Sequence, residues 1–453
     1  MAKPNALGGN VDAIAPRASM WSLLSFASAD FAFNLFWQSS MLFLLFYYTD
    51  VLGVSIGAAA AIFTVGAIWD GVVSLGIGIL LERKPHLVRP SVLSRGGPLL
   101  ALAFVAAYLP PLTSGDVGIV GLFAAHILFR TIYAAVNLPY LAMSARISRD
   151  SRDRSFIAGT RMLFGTGAAV LVALVTVPLG NRLTGAADGA ESFIAAALAF
   201  AVVGALLLML VGRKRFECEA PSSHRSATIS AAVSSLARNR AFVSLVTAMA
   251  ATVIGATLLN KSVLYFFKYA LGQPEGGQLA LASMALVSAV AIPCWMLVAR
   301  ASGLRWTWLL ATSGAAISLL MFAASDVTGK GPATLFLVAV QAMLMGLNFV
   351  FWAMLPNTIE FGDRHTGVHV EGLIFGLATL LQRIGIGFGT ALLGWTMGSA
   401  GYVANQAASS ETLDALRWSV AFMPFLFLLL SGIAMMFNPL AHGVHRRIVR
   451  ELD

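Results

Sequence analysis

Charge is what this chain has little of. Asp, Glu, Lys and Arg make up 11% of its 453 residues, less than half the roughly 25% of a soluble domain. Hydrophobic residues make up 58%, and the mean hydropathy is +0.80. Those figures exclude a water-soluble globule and make lipid the natural solvent. Cysteine is also scarce: Cys218 and Cys294 have no His or Cys neighbours at ligand spacing, which excludes a disulfide framework and a zinc site. No nucleophile, base and metal set gathers in the sequence, so a membrane enzyme is disfavoured and no cofactor is expected. The net charge of +9 points to nucleic acid only if a soluble basic domain carries it, and none is visible.

Long apolar runs are abundant. Stretches able to span a hydrocarbon core of about 30 Å recur near 24–48, 55–81, 97–113, 117–144, 157–180 and 192–212. Six more follow near 241–269, 279–299, 305–324, 333–356, 371–398 and 416–438. The expected fold is therefore all-α and polytopic, with twelve transmembrane helices in two six-helix bundles over 21–212 and 241–438. A tail over 1–20, a central loop over 213–240 and a tail over 439–453 complete the chain. Lys and Arg concentrate in alternate loops, at Arg83 to Arg95, Arg146 to Arg154, Arg213 to Arg240 and Arg446 to Arg450. By the positive-inside rule those loops and both termini are cytoplasmic. Two such halves match the parallel-repeat plan of the major facilitator superfamily, in which solute binds near the midplane between the halves.

A charge inside the bilayer costs at least about 2.5 kcal/mol on insertion scales, so each one implies a partner or a task. The candidates are Asp30, Asp70, Arg130, Arg161, Lys261 and Arg383. Asp30, Asp70 and Arg383 read either as a structural link between the halves or as the lining of a central cavity. There a carboxylate accepts hydroxyl hydrogen bonds or carries a proton. Asp50, Lys268, Glu360 and Asp363 lie near helix ends and read as interfacial anchors. His126 reads as a packed helix residue, and Arg130 and Lys261 have no assigned task. Glycines such as Gly159, Gly165, Gly167, Gly385, Gly387 and Gly389 allow close helix contact.

Several segments carry a family resemblance: SADFAFNLFWQ and FYYTDVLGVS in the first helix, AIWDGVVS in the second, YAAVNLPY in the fourth and YFFKYALG in the seventh. The segment EFGDRHTGVHVEGLIFGLATLLQRIG, from Glu360 to Gly385, is the most specific. In that order the chain resembles the glycoside-pentoside-hexuronide:cation symporters, the major facilitator branch that contains melibiose permease. The resemblance implies solute binding by Asp30, Tyr133, Asn137, Arg161 and Arg383. Asn137 stands where the pattern has an Asp, and Arg383 where it has a Lys. It implies cation coupling at Asp70 and Ser74. The pattern's second carboxylate is Ser74 here, and the fourth-helix Thr is Ala134. This thin oxygen set leaves Na+ possible at Asp70 but ranks H+ ahead of it as coupling ion.

The expected function is cation-coupled symport of a sugar or glycoside by alternating access. The partners are a small-molecule solute and a lipid bilayer, most plausibly a bacterial inner membrane. Arg149 and Arg154 facing Glu360 and Asp363 are expected to gate the cytoplasmic side. The alternatives are a lysolipid or other amphiphile carrier of the same fold, an uncoupled facilitator, or a scaffold without transport. A scaffold leaves the buried charges idle.

Overall fold

The computed structural model describes residues 19–113, 115–144, 147, 151–185, 189–214, 216, 234, 236–325, 327, 329–366 and 371–440. For residues 82, 85, 151–155, 158, 359–360, 362–366, 371–373 and 375 it describes the backbone alone. These residues form twelve long helical segments and, among themselves, no strand. α1 runs over Met20–Leu42 and, after a 44° bend, Leu44–Val51. α2 is Ile56–Arg83, α3 Ser91–Ala106, α4 Gly115–Ser144, α5 Ser151–Thr184 and α6 Ala190–Arg213. α7 is Arg240–Ala270, α8 Pro274–Ser302, α9 Leu304–Ala324, α10 Lys330–Thr366, α11 Glu371–Ser399 and α12 Ser410–Met436. Ten of these are individually long and apolar enough to cross a membrane, the bent α1 makes an eleventh, and α3 is the short one at 16 residues.

α3 departs most from the expected span. It ends at Ala106 rather than near 113, because Pro110 and Pro111 lack the amide a continuing helix needs. Exposed Leu102, Leu210, Leu297, Leu335 and Trp395 project outward, where a soluble protein would bury them and lipid accepts them.

Packing within the two halves repeats. α2 lies on α4, α3 on α6 and α1 on α5; six helices later, α8 lies on α10, α9 on α12 and α7 on α11. Two seams join the halves, α2 against α11 and α5 against α8, and the same six-helix shift exchanges one seam for the other. A pseudo-twofold relation of this kind is what duplicated halves produce.

The α2–α11 seam is close because its residues are small. Gly387 leaves its carbonyl free to accept from Thr64 Oγ1 at 3.0 Å, and a Cβ on Gly387 would lie 3.1 Å from the Thr64 carbonyl oxygen. On Gly394 a Cβ would come within 2.3 Å of the Ala60 Cβ. Gly385 and Gly389 face α7 instead, whereas Gly159 and Gly167 meet nothing within 4 Å, so close packing explains only part of the expected glycine set.

Candidate solute site and gate

One stripe of α4 organises the interior of the first half. His126, Arg130, Tyr133, Asn137 and Tyr140 recur at three- and four-residue intervals and so share a helix face. From α1, Phe33 and Trp37 pack on that stripe at Tyr133 and Tyr140, while Asp30, Asn34 and Gln38, one turn apart, form a polar row beside it whose Asp30 and Asn34 meet α5; Asn34 Nδ2 donates to the Asp30 carbonyl at 2.9 Å.

Asp30 on α1 and Arg161 on α5 form a two-pronged pair, Nε to Oδ2 at 3.0 Å and Nη2 to Oδ1 at 3.3 Å. Arg161 Nη1 also donates to Ser144 Oγ at 3.3 Å, and its guanidinium lies 5.0 Å from the Tyr140 ring centroid. Both partners stay partly accessible, at 14% for Asp30 and 20% for Arg161, so a solute hydroxyl could share the carboxylate. Asn137, two turns before Ser144, is half-buried and offers both a donor and an acceptor.

A second cluster sits deeper. Asp70 on α2 is buried, and its Oδ2 lies 3.1 Å from Arg383 Nε on α11 and 3.5 Å from Arg130 Nη1 on α4. Trp37 lies between the two guanidiniums, 4.1 Å from Arg383 and 4.9 Å from Arg130. Tyr133 packs on Trp37 with ring centroids 5.3 Å apart. The cluster thus brings Arg383 and Tyr133 together through Trp37, a residue the sequence reading did not single out although it lies within SADFAFNLFWQ. Asp70 ties the halves across the α2–α11 seam, and Ser74 lies one helical turn further along α2.

Beyond Arg130 the cationic character increases. Arg130 Nε donates to His126 Nε2 at 3.3 Å, and His126 and Lys261 both lie against Phe63, the ring centroids 4.7 Å apart and the ammonium 4.2 Å from the centroid. A cation–π contact supplies about 2 kcal/mol when desolvated, against the several kcal/mol that burying an ion costs. Phe63 therefore does not offset the burial of Lys261.

A third cluster occupies the face where α1 ends and α12 begins. Asp50, at the end of α1, accepts from Lys268 Nζ at 2.6 Å and Tyr269 OH at 2.5 Å through Oδ1. Through Oδ2 it accepts from Tyr402 OH and Thr49 Oγ1, both at 2.7 Å. Asn405 closes the ring, donating from Nδ2 to the Asp50 carbonyl and accepting from Lys268, both at 2.7 Å. Burial, then the neighbouring Tyr265 and Asp50, push the Tyr402 phenol well above the usual tyrosine range. Asp50 and Lys268 are thus a clasp between the halves as well as residues near helix ends. The two motifs FYYTDVLGVS and YFFKYALG meet here, a pairing across 218 positions that spacing does not reveal.

Of the expected gating residues, Arg149 lies outside the described residues, and the side chains of Arg154, Glu360 and Asp363 are likewise outside what is described.

Two related six-helix bundles, tied in the interior by the Asp70–Arg383 pair across the α2–α11 seam, make a membrane fold whose family and relatives are transporters rather than enzymes. The profile of the family described as MFS/sugar transport protein matches residues 25–442, and the chain belongs to that family. It is 25% identical to the isoprimeverose transporter of Lactiplantibacillus pentosus, over 92% of this chain and 88% of the relative. It is 24% identical to the glucuronide carrier protein homolog of Escherichia coli (strain K12), over 95% of each. A putative 2,3-dihydroxypropane-1-sulfonate exporter of Salmonella typhimurium is 25% identical, again over 95% of each. Among solved structures, a bacterial homolog of the human lysosomal transporter Spinster, inward-facing and unoccupied, superposes with a TM-score of 0.69 at 12% identity, covering 96% of this chain and 99% of that one. A D-xylose-proton symporter gives 0.66 at 14% identity, covering 95% and 99%. The fold and the resemblance to the glycoside-pentoside-hexuronide symporters agree with these matches.

Proposed function

We propose that the protein is a cation-coupled symporter of a sugar or glycoside in a bacterial inner membrane, with both termini cytoplasmic, working by alternating access. The observation that carries this reading is the contrast between the two ends. The Asp30–Arg161 pair and Asn137 are partly accessible inside the first bundle, while the Asp50 clasp fastens the halves at the face where α1 ends and α12 begins. Solute hydroxyls exchange with the Arg161 bonds to Asp30, and Arg383, Tyr133 and Asn137 complete the binding surface. The clasp is the external gate, and Arg149, Arg154, Glu360 and Asp363 serve the cytoplasmic one. The names of the relatives, which include an isoprimeverose transporter and a glucuronide carrier homolog, support a carbohydrate solute.

H+ is favoured over Na+ as coupling ion. A sodium ion at Asp70 would sit beside two guanidiniums, at 3.1 and 3.5 Å from the same carboxylate oxygen, and be repelled by both. A proton needs no oxygen cage. An amphiphile carrier is disfavoured because Phe33, Tyr133 and Tyr140 are buried against one another and offer no open apolar wall.

Uptake of labelled glycosides, pentoses and hexuronates into proteoliposomes under an imposed proton or sodium gradient tests the reading. Gradient-driven uptake that is lost in Asp30→Asn supports it. Absence of sugar uptake under both gradients, with folded protein and with lysolipid transfer in its place, overturns it.

A further inference from the structure

The solute site leaves a group of buried cations unused. Arg130 is fully buried and Lys261 is 7% exposed. Among the described residues, Arg130 Nη2, Lys261 Nζ and His126 Nδ1 are buried nitrogens with no hydrogen-bond partner. They belong to one neighbourhood: Arg130 holds His126, His126 and Lys261 share the Phe63 ring, and Lys261 and Arg130 lie close enough to repel one another. Among the described residues, the carboxylate ion-paired with this neighbourhood is Asp70, which is already divided between Arg130 and Arg383. Arg130, Arg383 and Lys261 thus share one anion, while His126, whose Nε2 accepts from Arg130, is a neutral imidazole with a spare Nδ1–H; a buried charge left unpaired is strongly unfavourable.

We infer that Arg130, Lys261 and His126 form a binding site for a small monovalent anion on α2, α4 and α7, deeper than the solute site and distinct from it. The anion would accept from Arg130 Nη2 and Lys261 Nζ, with Phe63 packing its apolar side. Its size follows from enclosure. Trp37 lies 4.9 Å from the Arg130 guanidinium, and neither cation is open enough to admit a sugar ring. A halide such as chloride fits this description; the acidic group of a solute is the other source of the same chemistry. Bound there, the anion neutralises the half of the cluster that Asp70 does not reach, so solute binding and opening of the α2–α11 seam occur without exposing an uncompensated charge.

The test is thermal unfolding of the purified full-length protein, titrated with sodium chloride at constant ionic strength against a sulfate background, with a parallel titration by sodium glucuronate. Wild type should rise by a few degrees and saturate. Lys261→Met should abolish the saturable rise, and in chloride-free buffer it should melt above wild type because an unpaired charge has been removed. Lys261→Arg should retain the chloride response, and Lys330→Met at the surface should behave as wild type. Saturation by chloride assigns the site to the free ion. Saturation by glucuronate alone, lost in Lys261→Met, assigns it to the solute's acidic group. No saturable response to either, or an equal response in Lys261→Met, overturns the inference. Lys261→Gln guards against a folding defect peculiar to the Met variant.

Discussion

Replacing Asp50 by Asn should unfasten the halves at the face where α1 ends and α12 begins. The carboxylate collects four side-chain donors, Lys268, Tyr269, Tyr402 and Thr49, within 2.5 to 2.7 Å. Bonds to a charged group contribute about 1.5–3 kcal/mol each. Asn keeps one acceptor and adds a donor, so it loses the charge and about half of those contacts. Part of that loss is returned because Asp50, itself buried, no longer has to be desolvated. A net loss of about 2 kcal/mol in favour of the opened state remains, and at 1.4 kcal/mol per decade this is a shift of about thirty-fold in the ratio of the two states. Spin labels on Leu112→Cys, in the α3–α4 connection, and Glu275→Cys, in the first turn of α8, report the width of that face. Native Cys218 and Cys294 would be replaced by Ser. Double electron–electron resonance should give one dominant short distance in the parent and a substantial long component in Asp50→Asn. An unchanged distribution in Asp50→Asn would refute the view that these bonds hold the face closed.

Further outcomes follow from the same geometry. Arg161→Ala strips the Asp30 carboxylate of its two-pronged partner. Solute affinity should fall at least tenfold in equilibrium binding, and Asp30→Asn/Arg161→Ala should be no worse than Arg161→Ala alone, since the two act as one unit. Gly394→Ala drives a methyl into the Ala60 Cβ, 2.3 Å away, and should weaken the α2–α11 seam by about 1–3 kcal/mol; the same spin-label pair should show it opened. Tyr402 has a raised phenol pKa, so its contribution is complete below the ordinary value near 10 and is lost only as pH climbs toward the raised one. The short-distance population should therefore stay flat from pH 7 to about pH 9.5.

The spans were legible because bilayer thickness imposes a length on every apolar run, and the Pro110–Pro111 pair is what misplaced the end of α3. Intramembrane charge picked out Asp30, Asp70, Arg161 and Arg383 for the same reason: lipid makes them costly, so a sequence retains them for a partner or a task. Which charge meets which was not legible. Asp30 with Arg161 spans 131 positions and Asp50 with Lys268 spans 218, and helical period relates residues only within a few turns. Trp37 escaped notice because an aromatic on a membrane helix resembles lipid-facing packing until two guanidiniums are found against it.

Asp70 carries the sharpest test of coupling. Asp70→Asn leaves Arg130 fully buried without its carboxylate and frees Arg383 from the seam, and breaking a buried pair by removing one partner costs about 3–5 kcal/mol. A loss of stability alone would mark Asp70 as a strut between α2 and α11. A coupling role adds a kinetic signature: solute counterflow, which needs no net ion movement, should persist while gradient-driven accumulation disappears. Asp70→Asn/Arg383→Gln separates the two, because it removes a cation together with the anion and so restores much of the charge balance without restoring a titratable group. If the double variant regains both stability and accumulation, Asp70 serves as a strut and the coupling proton binds elsewhere, with Asp30 the remaining intramembrane carboxylate of the set. If it regains stability and counterflow but not accumulation, Asp70 carries the proton.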